Sequence, residues 1–214
     1  MLKDLSVDQF VREVASASPA PGGGSVAALA GAQAAALLSM YCHLSLNREK
    51  FGEAVGLIER TAEEAHALAA ALVEAVDLDT AAFNRVMEAF RLPKGIPEEK
   101  EQRSRDIQTA TIEAARVPMQ TAADCLRVLE LIKAVAGRGN PGAATDLGVG
   151  NLQGLAGLTG ACYNVLINLG SIKDCAVKTE LAQKVTEALE QGRALFEKNR
   201  SQIEGSIGTV LLLP

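Results

Sequence analysis

The chain has 214 residues, 48% of them hydrophobic and only 3% aromatic, no Trp, and a formal net charge of −5. That length reads as one domain over residues 1–214, and apolar material dominated by Ala, Leu, Val and Ile favours closely packed helices over a β-sandwich. The acidic balance gives no bulk attraction to nucleic acid. Four cysteines and two histidines, without a CxxC pair or a Cys/His cluster, argue against a metal site and for free thiols in a reducing cytoplasm.

In chain order, Leu5 to Ala15 is expected as a short amphipathic helix with Ser6 as its N-cap. The acidic start lacks the order of a signal peptide. Ser18-Pro19-Ala20-Pro21-Gly22-Gly23-Gly24-Ser25 breaks any regular element. A long Ala-rich helix follows to about Leu46, with Gly24, Ala28, Gly31 and Ala35 forming a stripe that lets another helix approach closely. Val26 to Leu46 is long enough to suggest a membrane span, but Gln33, Ser39, His43 and Ser45 favour a buried core helix. His43 reads as a satisfied core histidine.

From about Glu53 to Arg91, Ile58, Ala62, Ala65, Ala69, Leu72, Val76, Asp79, Phe83, Val86 and Phe90 alternate four-three, an apolar seam on one helix face. Asp79 breaks it. A carboxylate there costs on the order of several kcal/mol of desolvation unless paired, hydrogen-bonded or protonated. It is either a buried acid able to exchange a proton or a structural group held by a neighbouring cation. Asp77 lies off the seam and reads as solvated.

Leu92 to Pro97 is a loop carrying Lys94, either a grip for an acidic ligand tail or a solvated lysine. Pro97 and Glu98-Glu99 suit a helix start. That helix runs to about Ala136, and Pro118 inside it should kink or split it. Gly137-Arg138-Gly139 stops it, and Asn140-Pro141 reads as N-cap and first residue of the next. On that helix Asp146, Gly150, Gly154, Gly157, Ala161, Asn164 and Asn168 again recur at intervals of three or four, giving a second close-approach face that is polar at both ends. Asp146 is either functional or a first-turn acid favoured by the helix dipole. The last helix spans about Lys173 to Leu213, with Gly205 and Gly208 fraying its end. The expectation is an all-α bundle of five to seven helices.

Several of these stretches together resemble one known family. Pro19 to Ala32, with Pro21-Gly22-Gly23-Gly24-Ser25 at its centre, is similar to the opening signature of the formiminotetrahydrofolate cyclodeaminase/methenyltetrahydrofolate cyclohydrolase family. So are Asp79-Thr80-Ala81-Ala82-Phe83 with Leu92-Pro93-Lys94, Glu113 to Pro118, Gly139-Asn140-Pro141 to Asp146, and Gly160 to Leu169. The matches are collinear over about residues 15 to 175. Thr145 departs from an expected Ser but keeps the hydroxyl.

The resemblance implies a homodimeric, cytoplasmic, all-α enzyme acting on tetrahydrofolate derivatives, possessing no metal and no cofactor beyond the folate, and working apart from membranes and nucleic acid. It implies either hydrolysis of 5,10-methenyltetrahydrofolate to 10-formyltetrahydrofolate or closure of 5-formiminotetrahydrofolate with loss of ammonia. Asp79 and Asp146 are the candidates for proton transfer. Pro21, Gly22, Gly23, Gly24 and Ser25, with Asn140, Asn164 and Asn168, are candidate binding groups, and Lys94 is the candidate for the glutamate carboxylates, including those of a polyglutamylated folate.

Overall fold

Ser6 opens the first helix through a capping box: its hydroxyl accepts from the Gln9 backbone, and the Gln9 side chain accepts from Ser6 N–H. The computed structural model describes residues 1–46 and 54–208. Within them lie α1 (Val7–Val14), α2 (Gly23–Leu46), α3 (Val55–Arg91), α4 (Pro97–Val135), α5 (Ala144–Leu169) and α6 (Cys175–Ile207), and no strand.

The small-residue stripes set the layout. α2 sits at the centre, packed on α3 and α5 and touching α4. It runs antiparallel to α5. Gly157 is so close that a Cβ there would stand 2.9 Å from Ala27 O and from Gly31 N, and Gly150 faces Ala34 and Leu37. Leucine-sized groups at these positions would hold the helices apart. By length and composition α2 could cross a membrane, but Ala28, Ala35, Leu38 and Cys42 on its inner face are fully buried among the other helices. α6 closes the bundle over α4 and α5.

Local details differ from expectation in instructive ways. α4 is one helix through Pro118, not two. Proline removes an N–H, so the carbonyl four residues earlier loses its helical donor. That carbonyl, Ala114 O, accepts instead from Asn168 Nδ2 at 3.1 Å. Asn140 does act as an N-cap, its side chain accepting from Gly142 N–H, but of a 3-10 turn (Pro141–Ala143), and α5 begins only at Ala144. Gly137 stops the chain after α4 with φ +75°. α6 continues through Gly205 and ends at Gly208, whose φ of +72° closes it; Thr209 to Leu213, expected as helix, lie outside the described residues.

Candidate active site

The Pro19–Ser25 loop delivers the chain into α2 with the first amide groups of that helix facing α3. Opposite them stands Asp79. Its carboxylate receives Ser25 N–H, and Oδ2 lies 3.2 Å from Ser25 Oγ, which also contacts Val76 O at 2.9 Å and Thr80 Oγ1 at 3.2 Å. So Asp79 caps α2 from another helix, where the positive end of the helix dipole favours a negative charge. No Lys or Arg pairs with it among the described residues. Burial therefore dominates and raises its pKa above the ordinary aspartate value, while the Ser25 bonds oppose that shift.

Gly24 is required by this arrangement, because a Cβ there would overlap the Asp79 carboxylate. Gly23 lies against Asn164, at 3.2 Å from Nδ2 to a built Cβ. Asn164 Nδ2 donates to Gly160 O at 2.9 Å, and Asn168 Nδ2 donates both to Ala114 O and to Asn164 O. With both amide hydrogens engaged, Asn168 has its Oδ1 left as an acceptor.

These groups border a cavity of about 350 Å³, within the range that holds small ligands. Gly22, Gly23, Gly24, Asp79, Asn164 and Asn168 form its polar side. Phe83, Val86, Ala114 and Ile167 form its apolar side. Sequence reasoning treated Phe83 and Val86 as core; the usable signal was that they follow Asp79 at i+4 and i+7 on one face. Pro21 is buried behind the cavity, after a cis Ala20–Pro21 peptide. Ser25 is fully buried and meets Asp79 instead of the open space.

The remaining candidates lie elsewhere. Lys94 is exposed in the α3–α4 loop. Asn140 is buried, with its N–H on Ser45 Oγ at 2.8 Å and its side chain on Gly142. Asp146 lies at the opposite end of α5, about 27 Å along the axis from Asn164. His43 is exposed, not core, with Nδ1 2.8 Å from Ser39 O. Asp77 is not simply solvated: Oδ1 accepts from Leu2 N–H at 2.7 Å and Oδ2 is buried without a partner. A larger cavity of about 410 Å³ between α1 and the α2–α3 pair is walled mainly by Val and Leu side chains, and the one charged side chain on its wall, Lys3, is bound to Glu74. Among the described residues no three His, Cys, Asp or Glu side chains converge on one point.

The family model described as Formiminotransferase-cyclodeaminase matches residues 6–187. The chain belongs to that family. It is 34% identical to a methenyltetrahydrofolate cyclohydrolase of Methylorubrum extorquens, over 97% of this chain and 100% of that protein. It is 38% identical to the formimidoyltransferase-cyclodeaminase of Gallus gallus over 90% of its own length, but spans only 37% of that protein. The crystal structure of formiminotetrahydrofolate cyclodeaminase from Thermotoga maritima superposes with a TM-score of 0.86 at 26% identity, covering 96% of this chain and 98% of that one. The family's helical architecture is thus the one found here, with the Asp79 cavity at one end of its α2–α5 pair.

Proposed function

We propose that this cyclodeaminase-family chain is a methenyltetrahydrofolate cyclohydrolase, working in the cytoplasm as a homodimer without metal or further cofactor. The observation that carries the chemistry is a half-buried carboxylate, Asp79, facing a ligand-sized cavity without a cationic partner. The methenyl bridge is a delocalised cation, so a substrate placed there supplies the missing positive charge. The full-length 34% match to a protein named for this activity supports the same choice.

Asp79 takes a proton from water as its oxygen bonds to the methenyl carbon. It then returns that proton to the ring nitrogen as the carbon–nitrogen bond breaks, and the second water proton leaves to solvent as the formyl carbonyl forms. A carboxyl whose pKa burial moves towards neutrality suits both transfers. Asn164 and Asn168 orient the attacking water or the pterin, and Gly22 to Gly24 let the ligand approach the backbone. In this reading Lys94, about 20 Å beyond Asp79 along the direction of α3, takes the carboxylates of an extended glutamyl tail. Asn140 positions the α4–α5 connection.

The second reading is cyclodeaminase, favoured by the Gallus gallus and Thermotoga maritima relatives. The near-ultraviolet absorbance of 5,10-methenyltetrahydrofolate separates the two. Enzyme-dependent loss of the chromophore is expected. Its appearance from 5-formiminotetrahydrofolate, without accelerated loss, would reassign the chain to cyclodeaminase, and silence in both assays would leave a folate-binding dimer.

A further inference from the structure

In the reaction proposed above, Asp79 loses its charge when it takes the water proton and regains it when the ring nitrogen takes that proton back. A fixed cation beside it would favour the charged form at every stage. The cavity wall offers none: the entry to α2 presents Gly22 to Gly24, α4 presents Ala114, and α5 presents Asn164 and Asn168. Of the charged residues near it in the chain, Asp77 accepts from Leu2 N–H, and Arg85 of α3 is paired with Glu113 of α4 at the surface.

What meets Asp79 is the hydroxyl of Ser25. A hydroxyl has one hydrogen and two lone pairs. Two carbonyl-type acceptors lie within its reach, Val76 O at 2.9 Å and Asp79 Oδ2 at 3.2 Å. One hydrogen cannot serve both in full. Val76 lies inside α3, where its carbonyl already receives the N–H four residues on, that of Thr80. Withdrawing the Ser25 hydrogen therefore strands nothing. Thr80 Oγ1, 3.2 Å from Ser25 Oγ, has no other partner among the described residues. Because the Ser25 hydrogen has better acceptors, Thr80 is the donor of that pair. Ser25 is fully buried, so water cannot take over the part of its hydroxyl.

We propose that Ser25 is a positioning residue whose hydroxyl follows the charge of Asp79: it donates to Oδ2 while Asp79 is ionised and turns back to Val76 O once Asp79 is protonated, with Thr80 donating to it throughout. This rests on the folate reading above and deepens it. The reacting proton is carried on Oδ1, the oxygen nearer Gly24 on the cavity wall, and Oδ2 stays with Ser25. Only one hydrogen turns, and no heavy atom moves. The hydroxyl thus stabilises the ionised acid as solvent would, without holding it in that state as a bound Lys or Arg would.

Carbon-13 NMR of the Asp79 carboxyl and the Val76 carbonyl tests this without turnover. Loss of a donor to the charged form raises the pKa of an acid. In Ser25→Ala the Asp79 midpoint should rise by roughly one pH unit. In Thr80→Val the rise should be roughly half as large, since Ser25 keeps its hydrogen but loses the donor that polarises it. Thr80→Ser should restore the wild-type midpoint. The Val76 carbonyl should titrate with Asp79 in wild type, gaining a second donor as the acid is protonated, and should lose that response in Ser25→Ala. In the chromophore assay, Ser25→Ala should lose about tenfold in kcat with KM within about twofold, and the acid limb of its pH profile should move up with the NMR midpoint. An unmoved Asp79 midpoint overturns the proposal. A Val76 response that persists in Ser25→Ala overturns it too, because the hydroxyl would then be a fixed donor. A moved midpoint with an unmoved acid limb in an active enzyme also overturns it, since Asp79 would not be the base that Ser25 serves. Should Ser25→Ala fail to fold, the Thr80→Val and Thr80→Ser pair carries the same test. If wild type turns over neither folate, both NMR responses still uphold the turning hydroxyl, and it is the folate reading that falls.

Discussion

Replacing Asp79 by Asn should separate activity from stability in opposite directions. The folded-state pKa of Asp79 is raised, chiefly by burial. Its contribution to stability is therefore fully present below the unfolded pKa, near 3.9, and is lost as pH rises through the folded value. At pH 7 to 8 the carboxylate is a net cost to the fold, and each tenfold weakening of the acid on folding corresponds to about 1.36 kcal/mol. Asn keeps the acceptor oxygen for Ser25 and removes the charge. Against it stands the loss of charge-assisted bonds from Ser25, on the order of 1 kcal/mol. The variant is expected to be as stable as wild type at pH 8 or more so, and to lose this advantage towards pH 4. Turnover of the methenyl substrate should fall about 10²- to 10⁴-fold, the contribution of a positioned acid–base group, equivalent to roughly 3–5 kcal/mol of barrier. Urea melts at pH 5 and pH 8, alongside the chromophore assay, measure both. An Asp79→Asn chain that keeps its kcat/KM, or one that is destabilised equally at both pH values, would reduce Asp79 to a helix cap.

Gly24→Ala should leave the bundle folded but displace the Asp79 carboxylate, because the new Cβ overlaps it; a loss of tenfold or more in kcat with a melting temperature within a few degrees of wild type is the expected pair. Asn168→Leu strands Ala114 O, at a cost of about 1–3 kcal/mol, and adding Pro118→Ala should recover part of that stability by restoring the helical donor, as chemical denaturation will show. Gly157→Ala forces a methyl group towards Ala27 O, Gly31 N and Cys125 Sγ, each 2.9 Å away. Despite the better helix propensity of Ala, this is expected to destabilise by about 1–3 kcal/mol, several degrees in thermal unfolding.

Much of the architecture was legible because it follows from local rules. The four-three spacing named the inner face of α3 down to the buried Ile58, Ala62, Ala65, Leu72 and Val76, and the glycines of α5 marked where α2 would lie. The same spacing exposed Asp79 as the residue that does not belong in an apolar seam. Ser6 and Asn140 declared themselves as caps, although the turn after Asn140 is 3-10, since Pro141 constrains φ without choosing between the two helical forms. Pro118 was legible as a defect and illegible in its outcome, because the donor that repairs it comes from Asn168, fifty residues away. The buried pair Asn151 and Asn199, linked at 2.9 Å between α5 and α6, escaped notice for the same reason.

What the sequence determined by itself was which residues are apolar, small or charged at each helical azimuth, since periodicity is a property of one chain segment. It thereby determined the helices, their contact faces and the anomaly at Asp79. Only the tertiary structure decided which ends of those helices meet. It set Asp79 against the N-terminus of α2 and beside Asn164 and Asn168, and left Asp146 at the far end of the same α5 seam. The separation of the two polar ends of α5 was legible in the residue numbers, but which end meets Asp79 depends on how α2, α3 and α5 pack, and no pattern within one segment carries that.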